Sequence, residues 1–353
     1  MSVLTGHRRQ EWTYELLDRT GAVLGLLTGA RPGGRLTWTA NQSVKGRGDI
    51  LYLRDGQDVD WLTARIRITL AVHPLDGGEP VQIGMGVWVP HVSEWTHAPT
   101  GATAKIPLLS RETILARQGI PHTYSLAAGT NIAQAVRDLI TGAGEPVGAI
   151  SDSDAVLAVD RVWEPHTSRL RIINDLAIAG GFFSLFSDSR GQYRLEPSTR
   201  ASTRPIAWRF DGETRVIVPT YPHARDLNVP NVVPVRARAE HDEDPLTAVA
   251  RNDDPNSPLS TVHRGEVWAD VEDVDAADLG TLEAYAARRL TEHMSVAGAA
   301  TVTGLTLPVW FNDAVEFEDS ANGVSGRHII TSRTVELSAS GLSELTLREV
   351  ISD

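Results

Sequence analysis

The sequence contains no cysteine among its 353 residues. This absence excludes disulfides, thiolate zinc sites and cysteine nucleophiles together. Lysine is almost as scarce, since Lys45 and Lys105 are its only examples, and arginine therefore carries nearly all of the positive charge. The formal net charge of −12 argues against a surface that binds nucleic acid through clustered basic residues.

Long apolar runs are absent as well. No stretch of about eighteen uninterrupted apolar residues occurs, which argues against a membrane-spanning helix. The N-terminus, with His7, Arg8 and Arg9, lacks the apolar core of a secretory signal. We therefore expect a chain that folds in a cytoplasm and does not insert into a membrane. With 41% hydrophobic residues, it can fill the cores of two or three domains.

Alternating apolar and polar residues dominate the first third of the chain. Ile66, Ile68 and Leu70 alternate with more polar neighbours, and a second alternating run extends from Val81 to Val89. Such alternation predicts half-buried antiparallel strands, and the run of proline and glycine between them predicts a turn. Several short strands with closely spaced turns indicate a small barrel or sandwich. We assign residues 1–125 to a first β-barrel domain.

Two short helices and a hairpin are predicted between residues 126 and 200. Thr130 is a suitable N-cap for the first helix, and Gly142 can end it. Ser168 can cap the second helix, which Gly180 and Gly181 close. One face of each helix is apolar: Ile132, Val136, Leu139 and Ile140 in the first, and Leu170, Ile173 and Ala177 in the second. Residues 182–187 and 193–196, joined by turn formers at 188–191, indicate a hairpin, which completes a small α+β domain.

The β-pattern returns after residue 201, interrupted by loops and one helix. The stretch from Pro230 to Gly265 is acidic and broken by proline, which predicts exposed loops. A helix is expected at about 275–292, capped by Asp275. Strands expected at 302–307, 314–317, 329–337 and 345–350 complete a second β-barrel domain over residues 201–353. The predicted fold is mainly β with an α+β insert: two small antiparallel β-barrel domains and a small helix-plus-hairpin domain.

Motifs of well-known catalytic chemistry are missing. The sequence has no His-Glu-x-x-His zinc motif, no Gly-x-x-x-x-Gly-Lys phosphate loop and no Gly-x-Ser-x-Gly nucleophile elbow. The nearest mimic of the last, residues 323–326, has the wrong spacing and indicates a hairpin turn. We assign no catalytic, cofactor-binding or metal-ligating residue, and we expect no cofactor.

Two groups of residues resemble metal ligands only superficially. The acidic groups at 242–244 and between Asp270 and Asp278 lack the glycine that an EF-hand loop requires. Solvated loops and a charged helix N-terminus are the favoured interpretation. His91, His97 and His122 lie in one region, but their spacings fit no common ligand set.

An enzymatic alternative rests on acidic residues beside tryptophans. Glu94 or Glu164, close in sequence to Trp95 and Trp163, could act as acid and base on bacterial envelope polymers. That chemistry needs two carboxylates about 5–10 Å apart, and nothing in the sequence places two of them together. We therefore favour the interpretation that this chain is not an enzyme.

The order of these parts resembles one known family. The residues that carry the resemblance are Tyr124, Ser125, Gly129, Thr130, Asn131 and Ile132; Trp163 to Pro197 with Asp188 and Gly191; Leu227, Asn228, Pro230, Asn231 and Val232; Asp254, Pro255, Ser257 and Pro258; Tyr285 to Leu290; and Leu307, Pro308, Asn312, Asp313, Val315 and Leu345 to Val350. Together they are similar to the minor tail proteins of long-tailed actinobacterial phages that form the tail-tip or baseplate hub. The hub fold is shared by contractile-tail phages and injection systems. Relatives often have a Gly-Asp pair where this chain has Asn312 and Asp313, and asparagine also accepts the positive φ of such a turn.

The resemblance implies a structural role in the virion. Hub proteins of this family form a homotrimer whose two barrels per subunit make a six-barrel ring, which joins a threefold tip to a sixfold tube. The implied location is the tail tip, after assembly in the bacterial host cytoplasm. The implied partners are the distal tail protein, the tail tube or tape measure protein and other minor tail proteins. Phage DNA would pass through the ring without specific binding, in keeping with the negative net charge.

Two alternatives remain open at this point: a tail hydrolase that degrades the cell envelope, and the hub of a contractile injection system. A structural hub predicts large buried interfaces of at least about 2,000 Å², whereas a hydrolase predicts a reactive cleft. Because the chain stops at Asp353, directly after the last predicted strand, no appended enzymatic or receptor-binding domain is expected.

Overall fold

The computed structural model describes residues 4, 7–91, 95–98, 101–199, 201–210, 228–237, 245–255, 257, 259–274, 279–294, 299–319 and 324–350. Within these ranges the chain is mainly β-structure and has five α-helices. The predicted fold class, mainly β with an α+β insert, is confirmed. The predicted domain boundaries stay a prediction.

Eight strands form the first part of the chain: β1 (Arg8–Leu17), β2 (Val23–Leu26), β3 (Ala30–Thr39), β4 (Gly46–Leu53), β5 (Arg65–Pro74), β6 (Val81–Pro90), β7 (Trp95–Ala98) and β8 (Gly101–Ser110). Their side chains follow the alternation that the sequence predicts. In β5, Ile66, Ile68 and Leu70 are fully buried, while Arg67 between them is only partly buried. Strand β5 pairs antiparallel with β1 over its whole length and with β6 on its other side.

An α+β module (residues 111–199) follows. It contains α1 (Glu112–Arg117), β9 (Tyr124–Leu126), α2 (Ile132–Thr141), β10 (Ala149–Ile150), β11 (Arg161–Trp163), α3 (Arg169–Ala179), β12 (Phe186–Ser187) and β13 (Tyr193–Leu195). The strands form two small sheets, β11-β9 and β10-β13-β12. The predicted apolar faces of α2 and α3 pack together in a core of their own.

Local capping sets the helix boundaries of the module. Asn131, and not Thr130 as predicted, is the N-cap of α2, because its side chain accepts a hydrogen bond from a backbone N–H of the first turn. The Thr130 hydroxyl is used elsewhere, since it donates to the carbonyl of Ala127 at 2.7 Å. Gly142 ends α2 and Ser168 caps α3, as predicted.

Two further features of the module differ from the prediction. The first hairpin strand covers residues 186–187 rather than 182–187, because the N–H of Leu185 donates to Asn174 Oδ1 of α3 and not to a partner strand. Helix α1 was not expected. It has only six residues and no side-chain cap, and its formation depends on tertiary packing through the fully buried Leu115.

The remaining elements are a 3-10 turn (Ala201–Thr203), β14 (Ile206–Phe210), β15 (Val232–Ala237), β16 (Thr247–Arg251), α4 (Thr261–Arg264), β17 (Glu272–Val274), α5 (Leu279–Met294), β18 (Ala299–Gly304), β19 (Ala314–Asp319), β20 (Val324–Glu336) and β21 (Ser343–Glu349). The stretch predicted as loops therefore contains structure. Strands β16, β15 and β17 form a small sheet, and α5 packs on it through Leu282, Ala286 and Leu290. The predicted cap Asp275 and the acidic residues 242–244 lie outside the described residues.

The strands of both ends of the chain belong to one 13-stranded sheet. Its hydrogen-bonded path runs β14-β19-β20-β3-β4-β8-β6-β5-β1-β2, with β7, β18 and β21 beside it. In the described ranges this path does not return on itself, so the sheet is not closed into the two predicted barrels. One continuous sheet forms instead, because a single long strand pairs with both groups of strands.

Strand β20 is that long strand. Its residues 324–329 pair with β19, and its residues 332–336 pair with β3, while β21 runs alongside residues 328–335. A β-bulge between Ile330 and Ser332 lies between the part of β20 that pairs with β19 and the part that pairs with β3. The core follows the strands, since Leu36 and Trp38 of β3 share one apolar cluster with Ile330 of β20.

Leu36→Ala tests this shared core. Leu36 is fully buried and lies opposite Val335 of β20, so its truncation leaves a cavity at the junction. We expect the free energy of unfolding to fall by about 2–5 kcal/mol. Leu51→Ala, in the neighbouring β4 where Leu51 is 41% exposed, is the matched control and should cost less than about 1 kcal/mol. Urea unfolding followed by tryptophan fluorescence measures both, and equal losses would contradict the shared core.

Candidate functional site

A buried ion cluster fastens the α+β module to the large sheet. Glu145, which follows α2, binds Arg65 of β5 through two hydrogen bonds, at 2.6 Å to Oε1 and 3.0 Å to Oε2. Arg111, at the end of β8, donates from Nε to Glu145 Oε2 at 2.8 Å. The side chains of Arg65 and Glu145 are only 8% and 2% exposed. The guanidinium of Arg65 from the sheet and that of Arg111, the first residue of the module, thus converge on one carboxylate.

Tyr193 of β13 completes this cluster. Its hydroxyl donates to the carbonyl of Arg111 at 3.0 Å, and the Arg111 guanidinium lies 5.1 Å from the centre of its ring. Burial raises the pKa of Tyr193 well above its usual value, so the hydroxyl stays neutral and remains a donor. The carbonyl of Gly191 accepts from Arg111 Nη1 at 2.8 Å. Hydrogen bonds of this kind fix the direction of the module as well as its position.

A second buried pair of charges lies nearby. Lys45, in the turn before β4, donates from Nζ to the carbonyl of Ala40 and to the Ser184 hydroxyl, each at 2.6 Å. Burial lowers the pKa of Lys45 to about 8, and the charge of Glu112 opposes that shift. Glu112 is itself fully buried and accepts a hydrogen bond from the N–H of Ser187. Burial raises its pKa.

The turn of the β12–β13 hairpin sits directly on β6. The N–H of Gly86 donates to the carbonyl of Ser189 at 2.9 Å. A Cβ atom at Gly84 would lie 2.3 Å from the same carbonyl oxygen, so only glycine permits this approach. The contact brings the charged turn residues beside the large sheet.

A cleft of about 390 Å³ opens where this turn, β6 and the segment between β18 and β19 meet, and we call it the junction cleft. Its apolar lining includes Ile83, Phe186 and Phe311, and its charged lining consists of Asp188, Arg190, Arg194, Glu196, Arg204, Asp313 and Arg333. Arg194 Nε and Asp188 Oδ2 pair with each other at 2.8 Å.

Arg333 is the most deeply buried charge of the cleft, at 1% exposure. Its guanidinium lies beside the rings of Trp38 and Trp310, 5.4 and 5.5 Å from their centres, and the centres of these two rings are 4.9 Å apart. It donates to the carbonyls of Val309 at 2.8 Å and Leu307 at 3.1 Å. Burial lowers the pKa of Arg333 to about 10, which leaves it charged at neutral pH.

The turn at residues 310–313 confirms one expectation from the sequence. Asn312 has a φ of 69°, the left-handed conformation that glycine would otherwise supply. Its carbonyl accepts from Arg204 Nη1 at 2.8 Å. Asp313 Oδ2 accepts the N–H of Trp310 at 2.7 Å, and burial raises the pKa of Asp313.

Of the residues considered for enzymatic chemistry, the structure describes Glu164 and Trp163. Glu164 is exposed, whereas the neighbouring Trp163 is buried and donates from Nε1 to Asp175 Oδ2 at 2.8 Å. Glu94 and the side chain of Trp95 lie outside the described residues.

Among the described residues, those that resemble metal ligands in the sequence do not form a cluster. His91 and His122 are exposed, and the side chain of His97 is outside the described part. Glu272 is paired with Arg289, and Asp270 is exposed. Among the described residues no group of three or more potential ligands is placed to hold a metal ion. Among the described helices, none combines the length and the apolar character that crossing a bilayer requires.

Sequence reasoning did not single out Arg65, Arg111, Glu145 or Arg333, because each acts through residues far away in the chain. One local signal was available for Arg333. Arg333 lies two residues before Val335 in β20, so both side chains point to the buried face of the strand. A charged residue among the apolar residues of a buried face indicates a specific interaction in the interior. The other three have no comparable signal.

No protein-family model matches the sequence, and comparison with curated proteins gives no match either. Solved structures do share its fold. The tail protein from Neisseria meningitidis MC58 gives a TM-score of 0.64 at 14% identity, covering 96% of each chain. The 43 kDa tail protein of prophage MuSo2 from Shewanella oneidensis gives 0.61 at 13% identity, covering 96% of this chain and 98% of that one.

A third similar structure is a chain of the Francisella PdpA-VgrG complex. It gives a TM-score of 0.56 at 8% identity and covers 99% of this chain but 60% of that one. At these low sequence identities the similarity shows only that the folds are alike. The chain has the fold of phage tail proteins, and the resemblance found in the sequence is confirmed at that level. An actinobacterial origin stays a prediction.

Glu145→Gln tests the ion cluster. Removal of the carboxylate charge leaves Arg65 and Arg111 buried without a compensating partner, and we expect the free energy of unfolding to fall by about 3–5 kcal/mol. Glu164→Gln is the control, because Glu164 is exposed and its loss should change stability by no more than about 0.5 kcal/mol. Chemical denaturation of both variants at neutral pH measures the difference. If Glu145→Gln were as stable as its control, the cluster would not hold the module.

Lys45→Met tests the lowered pKa of Lys45. The folded protein binds this proton less tightly than the unfolded chain does, so the charged form opposes folding. Relative to Lys45→Met, the wild-type protein should gain stability as the pH rises from about 8 towards 10.5. Lys105→Met is the matched control, since the Lys105 side chain is 68% exposed, and it should show no such trend. Urea unfolding across this pH range gives the result, and a constant difference for Lys45→Met would refute the assignment.

Proposed function

We propose that this chain is a structural protein of a phage tail, acting as a hub of the tail tip or baseplate. The observation that carries the proposal is similarity over whole chains. Two tail proteins share the fold over 96% of this chain and over 96% and 98% of their own lengths. A shared fold does not by itself define a function, but here each of these two neighbours is a tail protein.

The finer proposal is a homotrimer that joins the tail tube to the tip and surrounds the DNA exit channel. Two observations support it. The net charge of −12 suits a ring through which DNA passes without binding. The edge strand β2 exposes Val23, Leu24 and Leu26 to 53%, 64% and 58%, and exposed apolar groups on a sheet edge favour contact with a neighbouring chain. The proposed neighbours are further copies, the distal tail protein, the tube or tape measure protein and other minor tail proteins.

A second candidate function is the hub of a contractile injection system. The similarity to a chain of the Francisella PdpA-VgrG complex favours it, and the fold would be the same. A sheath gene next to this gene would indicate contraction, and its absence would indicate a flexible tail. In either case the proposed location is the tip of the assembled particle, after assembly in the host cytoplasm.

The trimer has a direct test. Light scattering coupled to size-exclusion chromatography should give a mass close to three times the 38.3 kDa of one chain, because hub rings require self-association around an axis. A monomer across the accessible concentration range would contradict the trimer. Immunogold labelling of intact particles tests the location separately, and label away from the tail tip would contradict the hub.

The hydrolase alternative is tested with the same purified protein. Incubation with peptidoglycan and envelope glycans should release no soluble fragments if the chain is structural. Release of fragments by the wild-type protein would favour an enzyme, and Glu164→Gln would then show whether Glu164 takes part.

A further inference from the structure

We propose that the junction cleft binds a carboxylate group with a short apolar stem, carried either by a small organic acid or by an acidic side chain of a docked peptide. This binding is a property of the cleft and does not depend on the proposed tail function.

The first support is Arg333, a buried guanidinium without a matching carboxylate. In the described structure no carboxylate lies within ion-pair distance of it, and its terminal nitrogens donate to the carbonyls of Val309 and Leu307 and to the Met85 sulfur. Its Nε, which is buried, has no hydrogen-bond partner. A buried charge that is not balanced is unfavourable, and none of the carboxylates that line the cleft is paired directly with this guanidinium.

The second support is a surplus of donors. Trp310 Nε1 is also buried without a partner, and Trp310 lines the same cleft. Asp313 is the carboxylate whose charge acts on Arg333, but it lies beyond ion-pair distance and its Oδ2 accepts the N–H of Trp310. These two buried N–H groups at one cleft depart from the rule that buried donors are satisfied.

The charges of the lining define which anion fits. Four arginines face three carboxylates, and because Arg194 and Asp188 neutralise each other, the remaining charges are three positive and two negative. That balance accommodates one negative charge. Glu196 and Asp313 would repel a doubly charged phosphate, whereas a planar carboxylate matches the fork of a guanidinium.

The rest of the cleft fits the stem of such a ligand. Phe186 and Phe311 lie in its wall with their ring centres 5.3 Å apart, which provides an apolar contact for methylene groups. Arg204 and the exposed Arg190 stand at the charged side, where a carboxylate can reach them. The side chain of glutamate and a short fatty acid share these features.

Isothermal titration calorimetry with butyrate and with the blocked peptide acetyl-Gly-Glu-Gly-amide tests the proposal. At least one should bind to the wild-type protein with a Kd of about 1 mM or tighter. The matched peptide acetyl-Gly-Gln-Gly-amide and inorganic phosphate should bind at least about tenfold more weakly. Binding of butyrate alone identifies a small acid as the ligand, and binding of the glutamate peptide alone identifies a docked acidic side chain.

Variants locate the binding in the cleft. Arg204→Gln and Arg190→Gln should each weaken the binding of the probe at least about tenfold. Because Arg190 is exposed, its replacement should leave the fold intact. Arg209→Gln is the control, because Arg209 is 70% exposed, pairs with Glu316 and is not part of the cleft lining. The proposal is overturned if neither probe binds, if the glutamine peptide or phosphate binds equally well, or if both cleft variants bind as the wild-type protein does.

Discussion

Strand β20 pairs with β3 through residues 332–336, and the centre of the molecule is arranged around that ladder. The pairing places Trp38 of β3 beside Arg333 of β20 and Trp310 of the preceding segment. It also merges the apolar side chains of both chain ends into one core. Without it, each group of strands would expose an open edge and half of a core.

The α+β module is attached in a different way. The large sheet is held mainly by apolar burial, which has little directional preference. The module adds Phe186 to that core, but it also meets the sheet through the buried charges of Arg65, Arg111 and Glu145 and through the contacts of Lys45 and Glu112. Buried charges contribute little net stability compared with apolar packing. Their geometry, however, permits few alternative orientations, and this fixes how the hairpin turn sits on β6 and shapes the junction cleft.

Local patterns predicted the elements better than their assembly. Alternation at Ile66, Ile68 and Leu70 was sufficient to find β5, and Gly142 and Ser168 correctly marked helix ends. The two-barrel arrangement failed because strand pairing between β20 and β3 is nonlocal, and nothing within either strand specifies its partner. The candidate site was hidden for the same reason, since its charged residues come from distant parts of the chain. Asn312 is the exception. The positive φ expected there depends on the residue type at that position alone and not on a distant partner.

The long separation between β3 and β20 also has a consequence for synthesis. During translation β3 emerges early, and its partner is made only after about 300 further residues, so the growing chain carries an unpaired strand edge for most of that time. Such edges are prone to join other chains, and contacts between distant residues form slowly. Until the last strands are made, this edge of β3 is therefore open to pairing with another chain.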